Sequence, residues 1–333
     1  MMDMTTLPRQ MQAWRIAEDG SGTIQRALLP LPRPSSGEVL LRVSHAGINR
    51  ADLFQRQGTY PTPAETRQVP GLEAAGTIVG LGSGVTGFSV GDTVAALMVG
   101  GGYGEYCTAP AAQLLPVPPA FPLEQAAALP EALATVWLAL VELAQLKAGE
   151  TLLLHGGTSG IGTIGIQVAR ALGATVLATS GSDEKCALCK KLGAEAVNYK
   201  KDDFLAFTKA YTGGRGVEVV LDMVGGSYAE RNIRALTSRG RLITIALLGG
   251  TEATVPLGGF LMKNISWQGV TLRSRTPREK AKTMREVRET LWPLVLEGAI
   301  KPVIDSIHPL AEVEKAHLRM QEGLHIGKII LSM

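Results

Sequence analysis

The chain has 333 residues, 45% of them hydrophobic, with 33 basic and 30 acidic side chains for a net charge of +3. That length and apolar content give room for two domains with substantial cores, and exclude a disordered chain. Opposite charges so nearly balanced and interspersed argue against a nucleic-acid or membrane partner.

Residues 38–44, 74–79 and 92–97 read as short strands between Gly, Pro and Ser turns, making roughly the first 125 residues a small, mainly β domain. Residues 115–122 are proline-rich and read as an extended connection. The most apolar long stretch, residues 126–144, is interrupted by Pro130, Glu131 and Glu142 and reads as a buried helix, not a membrane span. Strands are then expected at 151–155, 173–180, 217–221, 241–246 and 265–270, alternating with helices in a doubly wound parallel sheet. The tail changes again, with helices over 277–297 and 310–322 and a last strand over 328–332. No apolar signal core precedes Trp14, and a cytoplasmic location is expected.

Three cysteines, Cys107, Cys186 and Cys189, cannot build a disulfide framework and suit a reducing compartment. Cys186 and Cys189 form a CxxC, which invites a zinc or redox reading. No second pair completes a tetrahedral site, so the two thiols read as half-buried residues of a helix closed by Gly193.

The most informative segment begins with the apolar strand at 151–155, which runs into Gly156, Gly157, Thr158, Ser159, Gly160, Ile161 and Gly162 and then into a helix over 163–172. Gly157 permits a tight turn, and Gly160 and Gly162 let backbone amides approach a pyrophosphate at the positive end of the helix. Ser159 stands where the dinucleotide fingerprint usually has its middle glycine. A second strand follows at the spacing of a βαβ unit, which turns a weak glycine motif into a dinucleotide site.

The end of that second strand bears on the cofactor. NAD sites place Asp or Glu there for the ribose 2′-hydroxyl; this chain has Ser180, Gly181 and Ser182. Lys185, Tyr199, Lys200 and Lys201 follow, which favours a 2′-phosphate and NADP. Two alternatives stay open: Asp183 can act as the missing acid, and Lys185 can be an ordinary solvated helix residue.

An ordered set of motifs runs through the chain: Ala46 to Asp52, Arg56 to Pro61, Gly71 to Gly76, Gly100 to Tyr106, Leu129 to Ala132, His155 to Gly162, Leu221 to Gly226 and His325 to Ile329. Together they resemble the zeta-crystallin-like quinone oxidoreductases of the zinc-independent medium-chain dehydrogenase/reductase family, most of all the p53-inducible quinone reductase branch. The resemblance implies an α/β fold: a GroES-like catalytic domain over 1–130 completed by 271–333, and a Rossmann NADP-binding domain over 131–270, with the cofactor bound between them. In the zinc-dependent relatives a cysteine ligand stands at the place of Asn49 and a histidine ligand at that of Leu72. Zinc is therefore not expected, and hydride transfer to an already electrophilic acceptor is.

The resemblance also implies site residues. Asn49, Asp52 and Tyr60 should line the catalytic cleft, Asn49 donating a hydrogen bond to an oxygen that gains charge. Each has a structural alternative: Asn49 as a helix cap, Asp52 as a partner of Arg50 or a helix end, Tyr60 as packing. Cofactor contacts are implied for Tyr60, Val136, Gly157, Thr158, Ser159, Gly160, Ile161, Gly162, Ser180, Lys185, Tyr199, Met223, Ile245, Ala246 and Thr271, with residues 327–329 closing the rear of the site. Glu73 and His155 read as structural, and no hydrolase triad is assigned. The expected activity is NADPH-dependent quinone reduction. The alternatives are reduction of activated double bonds in enals or enones, and an NADPH- or RNA-binding protein with little turnover. A homodimer is expected through the strand at 265–270.

Overall fold

The computed structural model describes residues 7–60 and 68–333; Pro61, the end of one motif above, lies outside them. The chain folds as two compact units, one made of Met1–Glu131, Pro277–Leu296 and Pro302–Met333, the other of Ala132–Thr276 and Glu297–Lys301. The return to the first unit comes at Pro277 and not at residue 271. Residues 271–276 stay with the second unit, where Val270 N bonds Thr244 O at 2.9 Å and Thr271 and Ser274 close a turn. Residues 297–301 stay there too, because the Gln167 amide donates to Lys301 O and accepts from Lys301 N, both at 2.9 Å.

The first unit is built on strands β1 (Gln10–Ile16), β2 (Ile24–Pro30), β3 (Glu38–Gly47), β4 (Glu73–Leu81), β5 (Thr93–Leu97), β6 (Tyr106–Pro110) and β7 (Leu114–Pro116). Helix α1 (Arg50–Arg56) follows β3, and the four-residue α2 (Leu123–Ala126) follows β7. The late segments add α9 (Pro277–Leu296), β14 (Ile304–Pro309), α10 (Val313–Gln321) and β15 (Lys328–Ser332). The ten residues of β3 organise the unit. One flank pairs with β4; the other pairs with β6 over residues 38–42 and with β15 over 45–47. The chain's last strand therefore lies beside the segment that leads into Asn49. Val39, Leu41, Val43, Ile78, Ile329 and Leu331 form the core beneath. The expected helix over 310–322 begins as a 3₁₀ turn, Leu310–Glu312, a common form for a helix's first residues.

The expected helix over 126–144 is interrupted. Pro130 falls in a first turn, where its missing N–H costs nothing: the chain ends α2, restarts as α3 (Pro130–Val136) and continues as a π-helical stretch, Trp137–Leu143. By length and composition, residues Leu123–Leu143 could cross a membrane, yet 72% of their most apolar window is buried within the protein.

The second unit is a six-stranded parallel sheet in the order β10-β9-β8-β11-β12-β13. Its strands are β8 (Thr151–Leu154), β9 (Thr175–Ser180), β10 (Glu195–Asn198), β11 (Val217–Asp222), β12 (Leu236–Thr244) and β13 (Ser266–Gly269). The helices between them are α4 (Gly160–Ala171), α5 (Asp183–Lys191), α6 (Phe204–Tyr211), α7 (Tyr228–Ala235) and α8 (Leu257–Met262). Strand order reverses between β8 and β11, the place where such sheets take ligands. The central strands are buried on both faces, as the uninterrupted apolar run Leu152 to Leu154 demands.

Candidate functional site

In the second unit the glycine segment is held almost wholly by backbone. Gly156 takes the left-handed φ of 68°, so the tight turn belongs to Gly156 and not to Gly157. Gly157 is required for packing: a Cβ there would stand 2.6 Å from Cys189 Sγ and 2.9 Å from Ala178 Cβ. At Gly162 a Cβ would stand 2.2 Å from Gly156 O, so only glycine lets the turn close on the helix. Ser159 caps α4, its Oγ accepting from Gly162 N at 2.9 Å, which explains a serine at the middle position of the fingerprint. The N–H groups of Gly160 and Ile161, in the first turn of α4, have no carbonyl within the helix to bond and carry its positive end.

His155, just before the turn, is structural. It is fully buried and packs edge-to-face against the touching rings of Phe204 and Tyr228, with centroids at 4.8 and 4.9 Å. Burial pushes its pKa down. The neutral ring bonds Asn232 Oδ1 through Nε2 at 2.7 Å and Thr179 Oγ1 through Nδ1 at 3.1 Å, pinning the end of β8 to its neighbours.

The other predicted cofactor residues of this unit gather at the carboxyl ends of the same strands. Met223 follows β11, and Ile245 and Ala246 follow β12; Ile245 N donates to Asp222 O at 2.8 Å. Asp222 is buried and accepts from Val224 N and Gly225 N, shaping the turn that presents Met223. Thr158 is buried, Ile161 half-buried and Thr271 exposed. Val136, fully buried at the end of α3, lies within van der Waals reach of the place a Gly165 Cβ would occupy. Ser180 is different from its prediction: it is buried, and its hydroxyl lies 3.3 Å from Cys189 Sγ, so it faces α5. Ser182 caps α5, accepting from Lys185 N at 3.2 Å. Lys185 lies in the first turn of α5, and the Tyr199 hydroxyl lies 2.8 Å from where a Gly181 Cβ would stand.

Asp183, the alternative acid, is exposed and occupied: Asn198 Nδ2 donates to it at 2.8 Å and Lys201 Nζ at 2.5 Å. These partners, Asn198 first, hold its carboxyl below the usual range. The CxxC thiols are raised by burial, Cys189 to about 11, which leaves them protonated at neutral pH.

In the first unit the predicted Asn49 stands at the start of α1 in a side-chain network. Its Nδ2 donates to Glu73 Oε1 at 2.9 Å, and its Oδ1 accepts from Lys328 Nζ at 2.7 Å. Lys328 also donates to Ile48 O at 3.1 Å and pairs with Glu73, both side chains being almost wholly buried. Glu73 Oε2 accepts from Glu131 N at 2.9 Å. Gly47 makes room for this node, since a Cβ there would meet Glu73 Oε1 at 2.3 Å. The amide of Asn49 is thereby fixed with its oxygen on an ammonium, which strengthens its remaining N–H as a donor.

Asp52, predicted to line the cleft, is fully buried beneath α1. Its carboxylate accepts from Asn49 N at 2.8 Å, Gly71 N at 3.1 Å and the Tyr103 hydroxyl at 3.2 Å. It positions Asn49 through the backbone N–H at the start of α1. Behind it, His317 Nε2 lies 2.9 Å from the Tyr103 oxygen and Arg56 Nη1 lies 3.4 Å from His317 Nδ1. With the Tyr103 proton directed at Asp52, His317 donates to Tyr103 and accepts from Arg56, so donation runs in one direction from Arg56 to the Asp52 carboxylate, which also accepts from Asn49 N. Tyr60 is half-buried, four residues beyond α1. Among the described residues no three His, Cys, Asp or Glu side chains gather as metal ligands, and Leu72 is buried.

Two family models match the chain, an alcohol dehydrogenase GroES-like domain over residues 35–119 and a zinc-binding dehydrogenase over residues 160–289. A quinone oxidoreductase from Rattus norvegicus is 32% identical over 336 residues, covering 98% of this chain and 99% of the rat protein. The chain belongs to the quinone oxidoreductases of the medium-chain dehydrogenase/reductase family. A solved mycobacterial structure in complex with NADPH superposes on this oxidoreductase with a TM-score of 0.88 at 28% identity, covering 97% of this chain and 100% of that one. An NAD-dependent alcohol dehydrogenase structure does so with a TM-score of 0.86 at 30% identity, covering 97% and 100%.

The glycine cradle of this oxidoreductase fits a dinucleotide diphosphate, because the positions where a Cβ would block the turn are the ones left bare. For Lys328 the sequence resemblance implies only a place in the segment closing the rear of the site, and a lysine in an otherwise apolar terminal strand is the one signal of its pairing with Asn49 and Glu73. The parts played by Tyr103 and His317 leave no signal in the sequence.

Proposed function

We propose that this oxidoreductase is a zinc-independent NADPH:quinone oxidoreductase. The observation that carries the reading is the Asn49–Lys328–Glu73 node. At the place where zinc-dependent relatives put a thiolate, this chain has an amide locked by a buried ion pair, a donor suited to an oxygen that gains charge and not to a metal. NADPH, when bound, supplies the hydride. The cradle from Gly156 to Gly162 holds the diphosphate, Lys185 and Tyr199 receive the 2′-phosphate, and Asn49 orients the acceptor carbonyl through its free N–H. The occupied state of Asp183 supports NADPH over NADH, since its carboxylate is already held by Asn198 and Lys201.

The test compares initial rates with NADPH and NADH, on a simple quinone and on an enone, in the wild type, Asn49→Ala and Lys185→Ala. Quinone turnover with NADPH, weakened in Asn49→Ala, supports the reading. Turnover confined to the enone moves the assignment to double-bond reduction, for whose carbonyl the same amide donor is equally suited. Turnover preferring NADH removes the cofactor assignment.

The dimer is part of the same proposal. Strand β13 is a sheet edge with all four residues exposed, and next to it in sequence Leu257, Leu261 and Met262 of α8 are 71%, 73% and 80% exposed. An unpaired edge with exposed apolar side chains near it in the chain suits a second copy. Sedimentation as a monomer at micromolar concentration would remove it. The three buried free thiols suit the reducing cytoplasm.

A further inference from the structure

Helix α9 of the first unit carries a feature that the redox chemistry does not use. A groove of about 390 Å³ runs along it, lined by Arg278, Lys282, Arg285, Arg288 and the small side chains of Ala112 and Ala281. No acidic side chain lines it. Positions 278, 282, 285 and 288 follow each other at spacings of four, three and three, so the four cations form one stripe on the helix. Lys282 is paired with Glu286 at 3.6 Å, whereas Arg278, Arg285 and Arg288 have no ion pair among the described residues.

Two physical penalties are built into this arrangement. Like charges three and four residues apart on a helix repel, and Arg278 sits in the first turn, where the helix's own dipole already presents positive charge. A single bound anion relieves both. Arginine guanidinium groups favour oxyanions that accept two parallel bonds, phosphate foremost. The alanines keep the floor low enough for a ligand to lie against the helix, and the volume falls in the range of small-molecule sites. The stripe is about 15 Å long from the rise of a helix, too long for one phosphate group.

We infer that this groove binds a small, extended anion bearing two or more phosphate groups, at a site separate from the dinucleotide cradle. Tripolyphosphate is the probe, titrated into the whole protein by calorimetry at about 20 mM salt, where counterion release favours binding. The same titration is run on an Arg285→Gln/Arg288→Gln variant, and NADPH affinity is measured in parallel. The expected result is saturable binding at one site, weakened about tenfold or more in the variant, with NADPH affinity within about twofold of wild type. These are surface changes that remove like-charge repulsion, and thermal unfolding no lower than wild type checks that the variant is folded. Binding that is unchanged in the variant and displaced by NADPH would place tripolyphosphate in the cradle and overturn the inference. So would the absence of saturable binding. An RNA oligomer held more tightly than tripolyphosphate, and released by the same substitutions, would overturn the small-ligand assignment in favour of a polymer.

Discussion

The cradle at the end of β8 and the node at the start of α1 are built in opposite ways. Every part of the cradle lies within residues 156–162, and its shape is set by backbone: a left-handed glycine, two further glycines that leave no Cβ in the way, and a serine cap. The node is made of side chains drawn from across the whole chain. Lys328 is 279 residues from Asn49 and 255 from Glu73. The cradle's function therefore depends on what is missing from its side chains, and the node's on charges that must all be present together.

The largest expected effect breaks the node. Glu73→Leu leaves the Lys328 ammonium buried without its counter-charge and should cost about 3–5 kcal/mol of stability, read as a lower denaturant midpoint. Adding Lys328→Met should restore most of that loss while leaving quinone turnover impaired. A double variant no more stable than the single one would show that the pair does not act as a unit. On the cradle side, Gly162→Val should weaken NADPH binding by about 3 kcal/mol, roughly a hundredfold, with a smaller effect on stability. Retained affinity would mean that the turn can yield to a Cβ that starts 2.2 Å from Gly156 O.

The relay behind the node is tested by pH. Burial, reinforced by Arg56, holds His317 down at about 3, against 6.5 for an ordinary histidine. Between those values the unfolded chain binds a proton that the folded chain does not. Stability is thus fully present above about pH 6.5 and is lost as pH falls, with a slope approaching about 1.4 kcal/mol per unit. Denaturant midpoints at pH 7 and pH 5 should differ in the wild type and differ less in His317→Gln. A wild-type midpoint that does not move would show that His317 accepts its proton in the folded state. The smallest expected change is that of Lys185→Ala, which should lower affinity for NADPH by about tenfold, or 1.4 kcal/mol, and leave NADH affinity alone. Equal loss for both cofactors would place Lys185 away from the 2′-phosphate.

The two regions also differ in how far they can be read in advance. Glycine spacing after an apolar strand exposes the cradle, because the chemistry is local and the residue types are forced. Even there the turn residue is Gly156 and not Gly157, since which glycine takes the positive φ depends on how the chain leaves β8. Ser180 reads as a cofactor residue from its place at a strand end, but strand alternation turns it toward Cys189. Asp52 reads as a cleft residue from the family resemblance, yet the first turn of α1 folds its carboxylate back onto Asn49 N. In both cases the sequence places the residue and the packing decides which way it faces.

Taken by itself, the sequence determines the succession of β, α/β and return segments, the dinucleotide cradle and the family, because apolar periodicity, glycine spacing and ordered motifs act over short stretches of chain. Only the tertiary structure decides which distant charges meet. Pairing of β15 with β3 brings Lys328 to Asn49 and Glu73, and the packing of α10 brings His317 to Tyr103. A buried charge is stable only beside its partner, and no local pattern records where along the chain that partner lies.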